Sequence, residues 1–181
     1  WFLDTGERVS GKNLDALFLQ WVWDPKTAPA LLSERRTIWD QLKPIRERAA
    51  SFGFVGMPVD VGTNLDAWTF ANVPAQMSAV TKILDTYVEA TALATSAGLA
   101  TPNPLADHWA TESIPRLQGL VNLEKQATND YFNAAAMVKP DATDAAGPAQ
   151  LAKARELFAA ADFTQADAQA AAAVLAVQNC S

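Results

Sequence analysis

The residue types that most often do chemistry are sparse in this sequence. His108 is the single histidine and Cys180 the single cysteine. One histidine excludes the two- and three-histidine metal sites and leaves one residue around which a Ser-His-Asp arrangement has to form. One cysteine, a residue from the end, excludes an intrachain disulfide or a thiolate metal cluster, and with only Ser181 behind it fits no prenylation box. Glu112 follows His108 by four residues, so the two share a helix face, but no further ligands lie nearby. No metal site is expected.

Asp4-Thr5-Gly6 matches the triplet of aspartic proteases, in which two carboxylates share a proton across a β-rich cleft. No second triplet and no strand pattern accompany it, so it reads as a turn or a helix start. The Glu-x-x-His element of di-iron bundles is missing. Gly53, Gly56 and Gly62 reproduce neither dinucleotide nor P-loop spacing. Neither catalysis nor a cofactor is expected.

What remains is cationic and aromatic. Arg35, Arg36, Lys43, Arg46 and Arg48 fall within fourteen residues. Arg36 with Asp40 and Lys43 with Glu47 are spaced i,i+4, which predicts a solvated, self-paired face. The competing reading is a carboxylate site, because a planar guanidinium fork suits that group: Arg35 and Arg46 beside Trp39, completed by Arg116. Of the six tryptophans, Trp21, Trp39 and Trp68 fall on apolar stripes and are expected in the core. Trp23 and Trp109 fall off them, where an amphipathic ring forms a pocket wall or a partner contact. The candidate ligand-binding residues are therefore Arg35, Trp39, Arg46, Trp109 and Arg116.

The elements that must position these residues are helical, since apolar residues recur at spacings of three and four and strict alternation is absent. Leu14, Leu17, Phe18, Trp21 and Val22 predict a helix over 12–23, ended by Asp24-Pro25. A second helix over 28–51 starts at a Thr27 cap with Pro29 in its first turn, kinks near 40–44 at Pro44 and stops at Gly53. The 53–62 stretch reads as a packed loop, and Thr63-Asn-Leu-Asp66 as a capping box. Further helices are predicted over 74–97, stopped by Gly98, and over 113–138, capped by Ser113. A loop over 139–148 leads to an Ala-rich hairpin of 149–161 and 165–178, with its turn at Asp162-Phe163 and a second capping pattern at Thr164 to Asp167.

With 181 residues, 50% of them hydrophobic, the chain suits one domain, residues 1–181. The expected fold is all-α: an antiparallel helical bundle of four principal helices plus an Ala-rich C-terminal helical hairpin. A formal net charge of −6 repels phosphate backbones and anionic lipids, so nucleic acid is not an expected partner. Basic and acidic residues nearly balance over 1–50, whereas acidic residues outnumber basic ones about two to one afterwards.

The longest apolar run, Ala170 to Val177, is far short of a bilayer span. Any membrane attachment is thus expected through segments outside this chain, a reading that the absence of an initial Met and the opening Trp1-Phe2-Leu3 also suit. In overall shape the pattern resembles the helical extracytoplasmic ligand-sensing domains of bacterial membrane proteins. That resemblance implies a non-enzymatic sensing domain, periplasmic or at the cell surface and membrane-anchored in the full-length protein, that binds a small molecule or a soluble binding protein in signalling. The alternative expectation is a structural helical protein-protein interaction domain, a second copy of the chain being one partner.

Overall fold

The computed structural model describes residues 2–24, 26–138 and 146–179, and among them there are helices and no strand. In chain order the helices are α1 (Phe2–Ser10), α2 (Asp15–Trp21), α3 (Ala28–Ser51), α4 (Val59–Asp66), α5 (Val73–Ser96), α6 (Pro104–His108), α7 (Ile114–Met137), α8 (Ala146–Ala159) and α9 (Phe163–Asn179). A 3-10 turn, Phe70–Asn72, leads into α5. The fold is all-α, as the periodicity predicts, and α3, α5 and α7 fall within a residue or so of their expected bounds.

Two apolar cores follow from where the stripes point. The larger joins α3, α4, α5 and the start of α7 through Ile38, Leu42, Phe54, Val61, Val73, Ile83, Leu84 and Leu117. The second joins the later turns of α5 and α7 to the α8–α9 hairpin through Ala94, Ala127, Tyr131, Phe158, Phe163 and Ala170. A small third cluster, Leu3, Phe18 and Leu32, attaches the N-terminal helices to α3.

The differences from expectation each have a local cause. The helix expected over 12–23 is shorter, α2 beginning only at Asp15 and ending at Trp21, and α1 is an additional helix before it. Asp4-Thr5-Gly6 lies inside α1, where a Cβ on Gly6 would stand 3.0 Å from Leu14 Cδ1; the glycine permits close approach and does not mark a turn. Helix α3 runs on through Pro44. Thr27 makes no cap to α3; its hydroxyl donates to Asp24 Oδ2 at 3.3 Å.

Of the expected packed loop, residues 53–58 are non-helical and Phe54 is buried, whereas 59–62 and the expected capping box form α4, which carries Gly62 and Thr63 in its interior. Ser113 makes no side-chain cap on α7 either, and Asp60 of α4 does that work, its Oδ2 accepting from Ile114 N at 2.6 Å. Residues 146–148 are already helical; the rest of the expected 139–148 loop lies outside the described residues, as does Cys180. Gly147 is buried, with a notional Cβ 3.3 Å from Val177, so it lets α8 lie close on α9. The hairpin turn is 160–162, and Asp162 caps α9, accepting from Gln165 N at 3.2 Å and from Gln165 Nε2 at 2.7 Å.

Helices α3, α4, α5 and α8 end in one motif. The second residue after each helix bonds three residues back and the next bonds five back, as in Gly53 N to Ala50 O and Phe54 N to Ala49 O. The motif needs a left-handed residue. Gly53 and Gly98 supply it for α3 and α5, while Trp68 (φ 57°) and Ala161 (φ 59°) do so for α4 and α8.

Candidate functional site

Five of the cationic and aromatic side chains named above sort themselves around α3. One turn of that helix carries Arg35 and Arg36, and both reach back to α1 and α2. Arg35 is 3% exposed; its Nε donates to Asp4 Oδ1 at 2.8 Å and its Nη2 to Glu7 Oε2 at 2.9 Å and to Asp4 Oδ1. Arg36 Nε donates to Asp15 Oδ2 at 2.8 Å and its Nη2 to Glu7 Oε1. The expected Arg36–Asp40 and Lys43–Glu47 pairs do not form. The cations of the first turns find acids across the fold instead, where burial strengthens the bond beyond what an exposed i,i+4 pair gives.

Burial works against ionisation of Asp4, and Arg35, by hydrogen bond and charge, outweighs it, so the carboxyl sits below its ordinary value. Glu7 is likewise penalised by burial and then lowered by the Leu14 N–H and by Arg36 and Arg35. Arg36 is raised chiefly by its bond to Asp15. Trp68, half-buried, joins the cluster: its Nε1 donates to Asp4 Oδ2 at 3.2 Å and the Arg35 guanidinium lies 5.4 Å from its ring centre.

Beside this cluster is a cavity of about 620 Å³, lined by Asp4, Glu7 and Arg8 of α1, by Arg35, Trp39 and Arg46 of α3, and by Met57 and Leu65. Arg46 stacks over the Trp39 ring, 5.5 Å from its centre, and forms no ion pair among the described residues. Of the expected ligand set, the structure therefore brings Arg35, Trp39 and Arg46 to one cavity.

The other two lie elsewhere. Trp109 is fully buried at the centre of the larger core, stacked on Phe54 at 4.7 Å with its Nε1 donating to Gly56 O at 3.3 Å; it is a packing residue and no pocket wall. Arg116 is exposed on α7 and does not line the cavity. Among the tryptophans expected in the core, Trp21 is 74% exposed, whereas Trp23, expected off it, packs edge-on against Trp68 at 4.8 Å. His108 is a surface residue with Nδ1 3.9 Å from Glu112 Oε1, and among the described residues no cluster of ligating side chains gathers there or elsewhere.

Sequence reasoning misses Arg8, which lines the cavity and forms no ion pair among the described residues, because nothing in the pattern predicts α1. It also misses Glu124, fully buried in α7 with neither carboxylate oxygen hydrogen-bonded. The signal for Glu124 is present, since 117, 121, 124, 128 and 131 continue one helix face. A charged side chain interrupts the apolar pattern there, which hides its burial.

Comparison with protein-family models, with curated proteins and with solved structures finds no match to this chain.

Proposed function

We propose that the chain is a non-enzymatic ligand-binding domain whose cavity between α1 and α3 takes a small carboxylate. One observation carries this reading: Arg46 lies on Trp39 at the cavity with no acidic partner among the described residues, while Arg35 and Arg36 beside it are already neutralised by α1 and α2. A guanidinium flattened on an aromatic face keeps its N–H edge free for a bidentate anion. Arg8 lines the same cavity and is a second cation that forms no ion pair among the described residues. The volume falls in the range of small-molecule sites. Under this reading the domain senses its ligand for a membrane-anchored bacterial protein on the extracytoplasmic side.

The test is calorimetric titration with citrate, a compact tricarboxylate, after a thermal-shift screen of carboxylates, amino acids and sugars. Loss of one charge-assisted bond is worth about 1.5–3 kcal/mol, so Arg46→Ala lowers citrate affinity about 10- to 150-fold, while Arg116→Ala leaves it unchanged. Equal affinity in wild type and Arg46→Ala overturns the reading.

A second reading, a protein-protein interaction domain, is favoured by the exposure of Phe2, Val9, Leu17, Trp21 and Val22 on and beside α1 and α2. Large exposed apolar side chains concentrated in one segment mark contact surfaces. Sedimentation velocity at rising concentration tests the version in which the partner is a second copy: self-association that Trp21→Ser abolishes supports it, and a monomer at every concentration removes it.

A further inference from the structure

The cavity has a neighbour. A second hollow of about 440 Å³ lies between the outer face of α3 and the 53–56 segment, lined by Lys43, Arg46, Glu47, Ala50, Phe54 and Val55. Trp39, Arg46 and Gly56 belong to both hollows, so the two meet at the Arg46–Trp39 stack. Their chemistry differs. The first is rich in charged groups, with Asp4, Glu7, Arg8, Arg35, Arg36 and Asp66 among its walls. The second is lined by the apolar Ala50 and Val55 with the buried Phe54 behind them, and Lys43, one turn before Arg46 on the same face, also forms no ion pair among the described residues. Val55 is 81% exposed, an aliphatic side chain held out into water by the tight turn at Gly53 and Gly56.

We propose that the ligand is an amphipathic monocarboxylate, its head held by Arg46 with Lys43 and its alkyl or aryl body laid along Ala50, Phe54 and Val55 in the second hollow. This rests on the carboxylate reading above and narrows it. Two cations that form no ion pair among the described residues, against the single carboxylate of Glu47, favour an anionic head. The apolar lining beside them favours a body that leaves water, and a hollow of about 440 Å³ holds a chain of six to ten carbons.

The experiment is titration of the full chain with the straight-chain series from acetate to decanoate, with octanol as the uncharged counterpart of octanoate and with citrate alongside. Each added methylene, partly covered in an open groove, raises affinity about twofold, so octanoate binds at least tenfold more tightly than acetate. Octanol binds at least tenfold more weakly than octanoate, and Arg46→Ala reduces octanoate to the level of octanol. Val55→Ser, a change at an exposed side chain that leaves the helical circular-dichroism signal intact, flattens the chain-length dependence. Affinity independent of chain length, or a slope that Val55→Ser does not alter, overturns the proposal. If citrate meanwhile binds through Arg46, the carboxylate reading stands and only the amphipathic ligand falls. If neither citrate nor octanoate binds, both fall together.

Discussion

At the scale of single residues the sharpest departure from ordinary protein chemistry is Glu124. Its side chain is 0% exposed and neither oxygen has a hydrogen-bond partner, so the charged form is penalised and burial pushes its pKa up to about 7. The same burial raises Tyr87 on α5, and Glu124 raises it further. Below the ordinary glutamate value both folded and unfolded chains hold the proton and there is no cost. Between that value and about 7 only the folded chain holds it, so stability falls as pH rises through this window and levels off above it. The shift corresponds to about 3 kcal/mol. Glu124→Gln keeps the shape without the ionisation, so its urea-denaturation stability is expected to be flat from pH 5 to 7.5 where the wild type declines; parallel curves for the two proteins refute the assignment. Ala161 offers a second test. It holds a left-handed conformation that costs an L-residue about 1–2 kcal/mol and a glycine almost nothing, so Ala161→Gly raises stability by about 1 kcal/mol. Trp68 has the same backbone conformation, yet its ring and indole N–H are committed to Trp23, Arg35 and Asp4, so no such gain is expected there.

At the scale of helices, two attachments answer acid in opposite senses. Helix α1 is held to α3 by Asp4 and Glu7, whose lowered values mean their contribution is present above the ordinary carboxylate range and is lost as pH falls through the depressed values. The seam of α7 behaves inversely: Asp130 is raised, chiefly by its hydrogen bond to Asp167 of α9 and then by burial, as Glu124 is raised by burial. As pH falls through the depressed values of Asp4 and Glu7, the attachment of α1 therefore weakens while the seam between α5, α7 and α9 keeps its contribution. Amide hydrogen exchange at pH 3.5 and 7 should show protection of α1 falling relative to α7; uniform loss along the chain counts against it. Arg35→Ala removes the cation that Asp4 and Glu7 share, while Arg36 and the Leu14 N–H still bond Glu7 and Trp68 Nε1 still bonds Asp4; it costs about 3 kcal/mol, a stability effect to be separated from any change in ligand affinity. Asp60→Ala strips the α7 cap and costs about 1 kcal/mol.

At the scale of the molecule, what was legible in the sequence was what repeats locally. Helices α3, α5 and α7 each present an apolar face over many turns, and proline at the start with glycine past the end punctuates α3 and α5. What was not legible depends on partners distant in sequence. Arg35 and Arg36 choose acids 21 to 31 residues away over acids one turn away. The cap of α7 comes from α4, 54 residues earlier. Trp21 and Trp109 exchange their expected places because α2 is too short to bury its stripe, while the turn after α6 carries Trp109 into the core. The dispersal of the tryptophans also makes the protein its own optical instrument. Trp109, sealed against Phe54, emits toward the blue and is shielded from iodide, whereas Trp21 emits toward the red and is quenched first. Trp39 lies directly beneath Arg46, so an anion settling on that guanidinium alters the field across the indole and announces itself as a change in light, with no label attached.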